Sequence, residues 1–149
     1  GRRRREDEEE DRVGEPFVGR AGKLMNSMLR AIGLSREQVY IANILKCRPP
    51  GNRDPLPEEV AHCASYLARQ VEMIKPSIIL AVGRIAAQNL LQNSVPIGKM
   101  RGQRYTYGDQ GIPVIVTYHP AYLLRSPREK RKSWQDLILV KEVLEEAML

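Results

Sequence analysis

The segment Val114-Ile115-Val116-Thr117-Tyr118-His119-Pro120 limits the folds open to this chain more than any other. Its β-branched apolar run reads as a short buried strand. Proline has no backbone N–H and biases the preceding residue away from the helical region, so the strand stops at His119. An imidazole is thereby set at the carboxyl end of a strand. In an open, parallel α/β sheet that edge is where ligands bind. Ala121, Tyr122, Leu123 and Leu124 follow, read as an apolar and aromatic loop closed by Arg125. Alone, His119 has two readings: a core-edge histidine bonded to a backbone carbonyl, or a group acting on an anionic substrate.

Two further strands precede this one. Residues 39–45 are rich in β-branched side chains, and residues 77–82 form a continuous apolar run that fits burial on both faces. Helical periodicity covers Lys23 to Ile32, with Leu24, Met25, Met28, Leu29 and Ile32 on one face and Gly33 as terminator. Helices are also expected over Glu58–Ile74 with Pro57 at its start, over Ile85–Leu91, and from about Glu129 to Met148. Residues 92–113 read as a connection with a short strand at 104–107. Strands alternating with helices imply parallel pairing through right-handed crossovers. The expected fold is a three-layer α/β/α sandwich around a short, mainly parallel central sheet.

Residues 1–12 contain five Arg, six acids and no apolar side chain. Such a segment has no face to bury and reads as a disordered leader. Residues 13–149 read as one domain whose first strand is missing. The leader contributes −1 to the net charge of +6, so the domain itself carries +7. A basic domain of this size fits either simple solubility or contact with nucleic acid. No apolar run reaches the length of a membrane span, and neither a signal peptide nor a membrane partner is expected. The expected location is cytoplasmic.

Several residues stand out against this frame. Asn43 sits within an apolar strand, where an amide is costly unless paired. It is either a structural asparagine or a group that reads the polar edge of a base. Gly83-Arg84 turns from strand into helix, a common arrangement that favours an anion. Phe17, the single Phe of the chain, lies in a Gly-rich loop, where it could anchor the loop in the core or stack on a flat ligand. Cys47 and Cys63 are the two cysteines, readable as buried thiols or as two metal ligands. An iron–sulfur cluster generally takes four thiolates.

In combination these features resemble one family. Gly14-x-Pro16-Phe17-Val18-Gly19-x-Ala21-Gly22 is followed by Val39-Tyr40-Ile41-x-Asn43-x-x-Lys46-Cys47-Arg48-Pro49-Pro50. Leu80-x-Val82-Gly83-Arg84 and His119-Pro120-Ala121-Tyr122-Leu123-Leu124-Arg125 complete the pattern. It is similar to the family 4, iron–sulfur uracil-DNA glycosylases, over about residues 10 to 140. The resemblance implies excision of uracil from DNA in base-excision repair. Phe17 would stack on the extruded uracil, Asn43 would bond its Watson–Crick edge, and His119 would donate to O2 as negative charge develops there. Residues Ala121 to Arg125 would enter the duplex, with Leu123, Leu124 and Arg125 contacting DNA together with Arg84. Cys47 and Cys63 match two of the four ligands of the family's 4Fe-4S cluster.

The pattern also departs from the family. No Gly-Glu-x-Pro-Gly block occurs in residues 1–149, although that block supplies the acid that helps position the attacking water. The alternative reading is therefore a relative that binds DNA or uracil without efficient turnover. Uracil-containing DNA is the expected partner, and a monomer is expected unless chains share a strand or a cluster.

Overall fold

The computed structural model describes residues 19–34, 39–42 and 56–147. Helix α1 spans Arg20–Ala31, strand β1 Val39–Ala42 and helix α2 Pro57–Ile74. Strand β2 covers Ile78–Val82, α3 Arg84–Leu91 and the single turn α4 Ile97–Met100. Strands β3, Tyr105–Tyr107, and β4, Ile112–Thr117, are followed by the short helix α5, Pro120–Arg125. A 3-10 turn at Pro127–Glu129 leads into α6, Lys130–Ala147.

The sheet runs in the order β1-β2-β4-β3. β2 pairs in parallel with β1, Ile41 opposite Leu80, and with β4, Leu80 opposite Ile115. β3 is an antiparallel edge strand on β4, Tyr105 opposite Val114. β2 is central and buried along its whole length, as its unbroken apolar run requires.

Side chains alternate across the sheet and divide the core in two. Ile78, Leu80, Val82 and Ile115 pack with Met25, Met28 and Leu29 of α1 and Leu137 and Val140 of α6. Ile79, Ala81, Val114 and Val116 pack with Cys63, Leu67 and Val71 of α2, Leu90 of α3, and Met100. Helices thus cover both faces, and the expected three-layer arrangement is the one observed.

Local chemistry sets the element ends. α2 starts on Pro57, which loses no hydrogen bond there, and Glu59 reaches back to accept from the Leu56 N–H at 2.8 Å. It ends where Lys75 takes a left-handed conformation, φ 51°, ahead of Pro76.

Two expectations need correction. Residues 120–125 form a helix where a loop was expected. Pro120 occupies its first position, and the His119 side chain caps it by accepting from the Ala121 N–H. Histidine is not among the usual capping residues, which hid this start. Within that helix Leu123 is fully buried at 0% exposure, packed against the α1 and α6 side of the sheet. It cannot enter DNA without unpacking the core. The charged segment 1–12, the expectation of a missing first strand and strand residues 43–45 fall outside the described residues.

Leu80 lies in the central strand at 0% exposure. Leu80→Ala is expected to lower unfolding free energy by about 2–5 kcal/mol, the range for a large-to-small change in a packed core. Denaturant titration at constant m-value measures it.

Candidate functional site

β1, β2 and β4 run in one direction, so their carboxyl ends share one edge of the sheet. At that edge β2 gives way to Gly83 and β4 to Tyr118 and His119. A cavity of about 560 Å³ opens there, and its walls include Gly83, Arg84, Tyr118, His119, Tyr122 and Arg125.

His119 is held in a defined state. Its Nδ1 accepts a hydrogen bond from the Ala121 N–H at 3.0 Å. A ring nitrogen that accepts carries no proton, so in the neutral ring the proton is on Nε2. The side chain therefore offers an N–H donor without carrying net charge.

Gly83 makes room for this ring. Its backbone lies at φ 92°, ψ 162°, a region open essentially to glycine alone. A Cβ added at Gly83 would sit 3.3 Å from the Cβ of His119 and 3.7 Å from its Cδ2. The Gly83 N–H donates to the Thr117 carbonyl at 2.9 Å, which ties the two strand ends together.

Behind His119 stands a buried polar network. Asp136, 1% exposed, accepts two bonds from Arg101: Nε to Oδ2 at 2.8 Å and Nη2 to Oδ1 at 2.9 Å. It accepts a third from the Thr117 hydroxyl at 2.7 Å, and the Ser133 hydroxyl lies 3.0 Å from that of Thr117. Arg101 also donates to the Lys132 carbonyl at 2.7 Å, and its guanidinium carbon lies 5.1 Å from the centre of the Tyr118 ring. Tyr118 in turn packs on Tyr122 at 4.8 Å. Burial pushes the Asp136 carboxyl up, while Arg101 and Thr117 pull it back. Partial desolvation lowers Arg101, but the hydrogen bond and charge of Asp136 outweigh it and raise its pKa. With three donors on two oxygens, we take the pair to be ionised at neutral pH.

Of the residues singled out in the sequence, the structure brings His119, Arg84 and Arg125 around one cavity. Arg84 and Arg125 are exposed, and Arg84 also reaches Gln88 at 3.3 Å. Leu124 is partly buried. Phe17, Asn43 and Cys47 lie outside the described residues. Cys63 is 2% exposed in the apolar layer under α2, and its sulfur is not a free thiol. Among the described residues no group of three or more His, Cys, Asp or Glu is placed to hold a metal ion. Two cysteines cannot supply the four thiolates of a cluster, so the residues of this chain do not by themselves fit that group.

Sequence reasoning missed the Arg101–Asp136 pair. The partners are 35 positions apart. The visible hint was one acid on the inner stripe of α6, beside Ser133, Leu137 and Val140.

Gly83→Ala is expected to cost about 1–3 kcal/mol through backbone strain and to shift the His119 ring. A crystal structure or the His119 ring resonances of the variant would register the shift; an unmoved ring in an equally stable variant would contradict the close-packing account.

Comparison with known proteins agrees with this geometry. The family described as the uracil DNA glycosylase superfamily matches residues 5–138. A type-4 uracil-DNA glycosylase of Archaeoglobus fulgidus is 48% identical over 141 residues, 91% of this chain and 71% of that protein. One from Saccharolobus solfataricus is 45% identical over 144 residues, 92% of this chain and 67% of its own length. A third, from Thermotoga maritima, is 49% identical over 120 residues, 80% of this chain and 62% of the relative. The chain thus spans about two thirds of the length of these relatives.

Proposed function

The chain belongs to the uracil DNA glycosylase superfamily, and on that premise we propose that it removes uracil from DNA by hydrolysing the N-glycosidic bond. The observation that carries the reading is the His119 imidazole, fixed by the Ala121 N–H as an Nε2–H donor on the wall of a cavity at the carboxyl edge of the sheet.

The chemistry follows from where charge moves. When the bond between C1′ and N1 breaks, its electron pair stays with uracil, and negative charge spreads to the carbonyl oxygens. The oxygen of a water molecule forms the new bond to C1′, and the proton it gives up ends on the uracil anion, directly or through solvent. A donor aimed at O2 stabilises the departing anion more than bound uracil, so it lowers the barrier instead of merely strengthening binding. His119 is assigned this role. A neutral donor already oriented by its other nitrogen needs no reorganisation during the reaction.

Extruding the nucleotide from the duplex costs a few kcal/mol, which the pocket must return through stacking and pairing. Phe17 and Asn43 are assigned to stack on uracil and to bond its Watson–Crick edge. Arg84, Leu124 and Arg125 are assigned to DNA, the last two entering the gap left in the stack. Leu123, buried beneath them, supports this helix from below. The family's 4Fe-4S cluster would require Cys47 and Cys63 as free thiolates together with two further ligands, whereas the Cys63 sulfur is not a free thiol here. No step of the reaction is assigned to that cluster.

A second reading, binding of uracil-containing DNA without turnover, rests on the lack of a Gly-Glu-x-Pro-Gly block in residues 1–149. Release of uracil from a labelled oligonucleotide under single-turnover conditions separates the two. Retained binding with no release would favour the second reading.

For the histidine, His119→Ser is the informative change. Serine keeps a helix-capping oxygen but loses the ring donor. Excision is expected to slow by ~10²–10³, the usual effect of removing one such donor, with duplex affinity nearly unchanged. An unaltered rate would make His119 a capping residue alone.

A further inference from the structure

Building on the reading of this chain as a DNA glycosylase, we propose that Arg128, Lys130 and Arg131 form a platform for the duplex phosphate backbone, beside the cavity and separate from the residues that touch the extruded base. Three observations support it.

The first is charge. From Arg125 to Lys132 the chain carries five cations and one acid, Glu129. That acid is taken up by Lys132, whose Nζ lies 2.9 Å from it. Among the described residues none of Arg128, Lys130 and Arg131 is in a salt bridge. Arg128 and Arg131 are exposed, and Lys130 is partly so.

The second is that the placement works against the fold. A helix favours acids in its first turn and bases in its last. α2 follows this rule with Glu58 and Glu59 in its first turn. α6 breaks it at both ends: no acid in the first turn and no base in the last. Its first three residues are Lys130, Arg131 and Lys132, while Glu145 and Glu146 sit near its end. Stability alone would select the opposite order. Cations kept where they weaken the helix point to a use outside it.

The third is position. The basic segment continues directly from α5, which contributes Tyr122 and Arg125 to the cavity wall. Arg101 anchors it, because its Nη2 donates to the Lys132 carbonyl while its guanidinium lies over Tyr118 on the same wall. The cations therefore lie on the backbone that follows Arg125 of the cavity wall, held at Lys132 by Arg101. A cluster of cations in no salt bridge among the described residues complements a phosphate backbone.

The test uses the full chain and three variants. One is Arg128→Gln/Lys130→Gln/Arg131→Gln, and another Lys130→Glu/Arg131→Glu. The third, a control with the same charge loss elsewhere, is Arg69→Gln/Lys75→Gln/Lys141→Gln. Affinity for a uracil-free duplex is measured over a salt series, together with the melting temperature. Removing one cation–phosphate interaction should reduce the slope of log Kobs against log salt by ~0.9, so the first variant should drop by about 2–3 in slope. The control should keep most of its slope. The Lys130→Glu/Arg131→Glu variant should bind duplex weakly yet melt no lower than the parent, since acids suit that helix end.

Equal slopes in the parent and the first variant, or an equal drop in the control, would overturn the platform. Uracil release, assayed in parallel, keeps the two readings apart. A parent that excises uracil but ignores these substitutions defeats the platform alone. A parent with no affinity for duplex defeats both.

Discussion

The hydrogen bond from the Ala121 N–H to Nδ1 of His119 is the interaction on which the site depends. It caps a six-residue helix that is too short to be stable by itself. It also fixes the ring's proton on Nε2. One hydrogen bond thus decides a local structure and a tautomer together. The geometry persists because Gly83 has no side chain: a Cβ there would press on the ring from the neighbouring strand end.

That corner rests on layers of decreasing specificity. Under it lies the apolar sheet, in which β2 and β4 are sealed on both faces by helices. Such packing fixes where strands end, but not how a polar corner is oriented. The orientation comes from Asp136, which gathers Arg101 and Thr117 inside the α6 layer, and from Arg101, which extends to Tyr118 and to the start of α6. A buried network of this kind is stabilising only when every member is satisfied. Among the described residues no buried side-chain polar atom lacks a partner. Removing one member would leave a charge buried alone, which is why such pairs are costly to break.

The legible part of the fold was the part governed by apolar periodicity. The continuous runs at 78–82 and 114–117 marked buried parallel strands, and the spacing of Met25, Met28 and Leu29 marked a helix face. His119 was legible because Pro120 forces a strand to stop. The illegible parts were those decided by tertiary partners. Residues 120–125 looked like a loop because the cap is a histidine, and its capping role exists only once the ring is turned inward. Leu123 looked like a residue for DNA because its neighbours did, yet the helix turns it into the core. The pairing of Arg101 with Asp136 has no sequence signature, since it joins residues 35 positions apart and depends on α6 packing against β4.

The site turns on His119 being a neutral donor with its proton on Nε2. Nitrogen-15 NMR of the imidazole tests it directly, by long-range proton–nitrogen correlation on protein labelled at histidine. The chain has two histidines, so a His62→Gln variant assigns the signals. The predicted pattern is that of a single Nε2–H tautomer, with Nδ1 unprotonated and accepting from the Ala121 N–H. A ring protonated at Nδ1, or one averaging freely between tautomers, would contradict it.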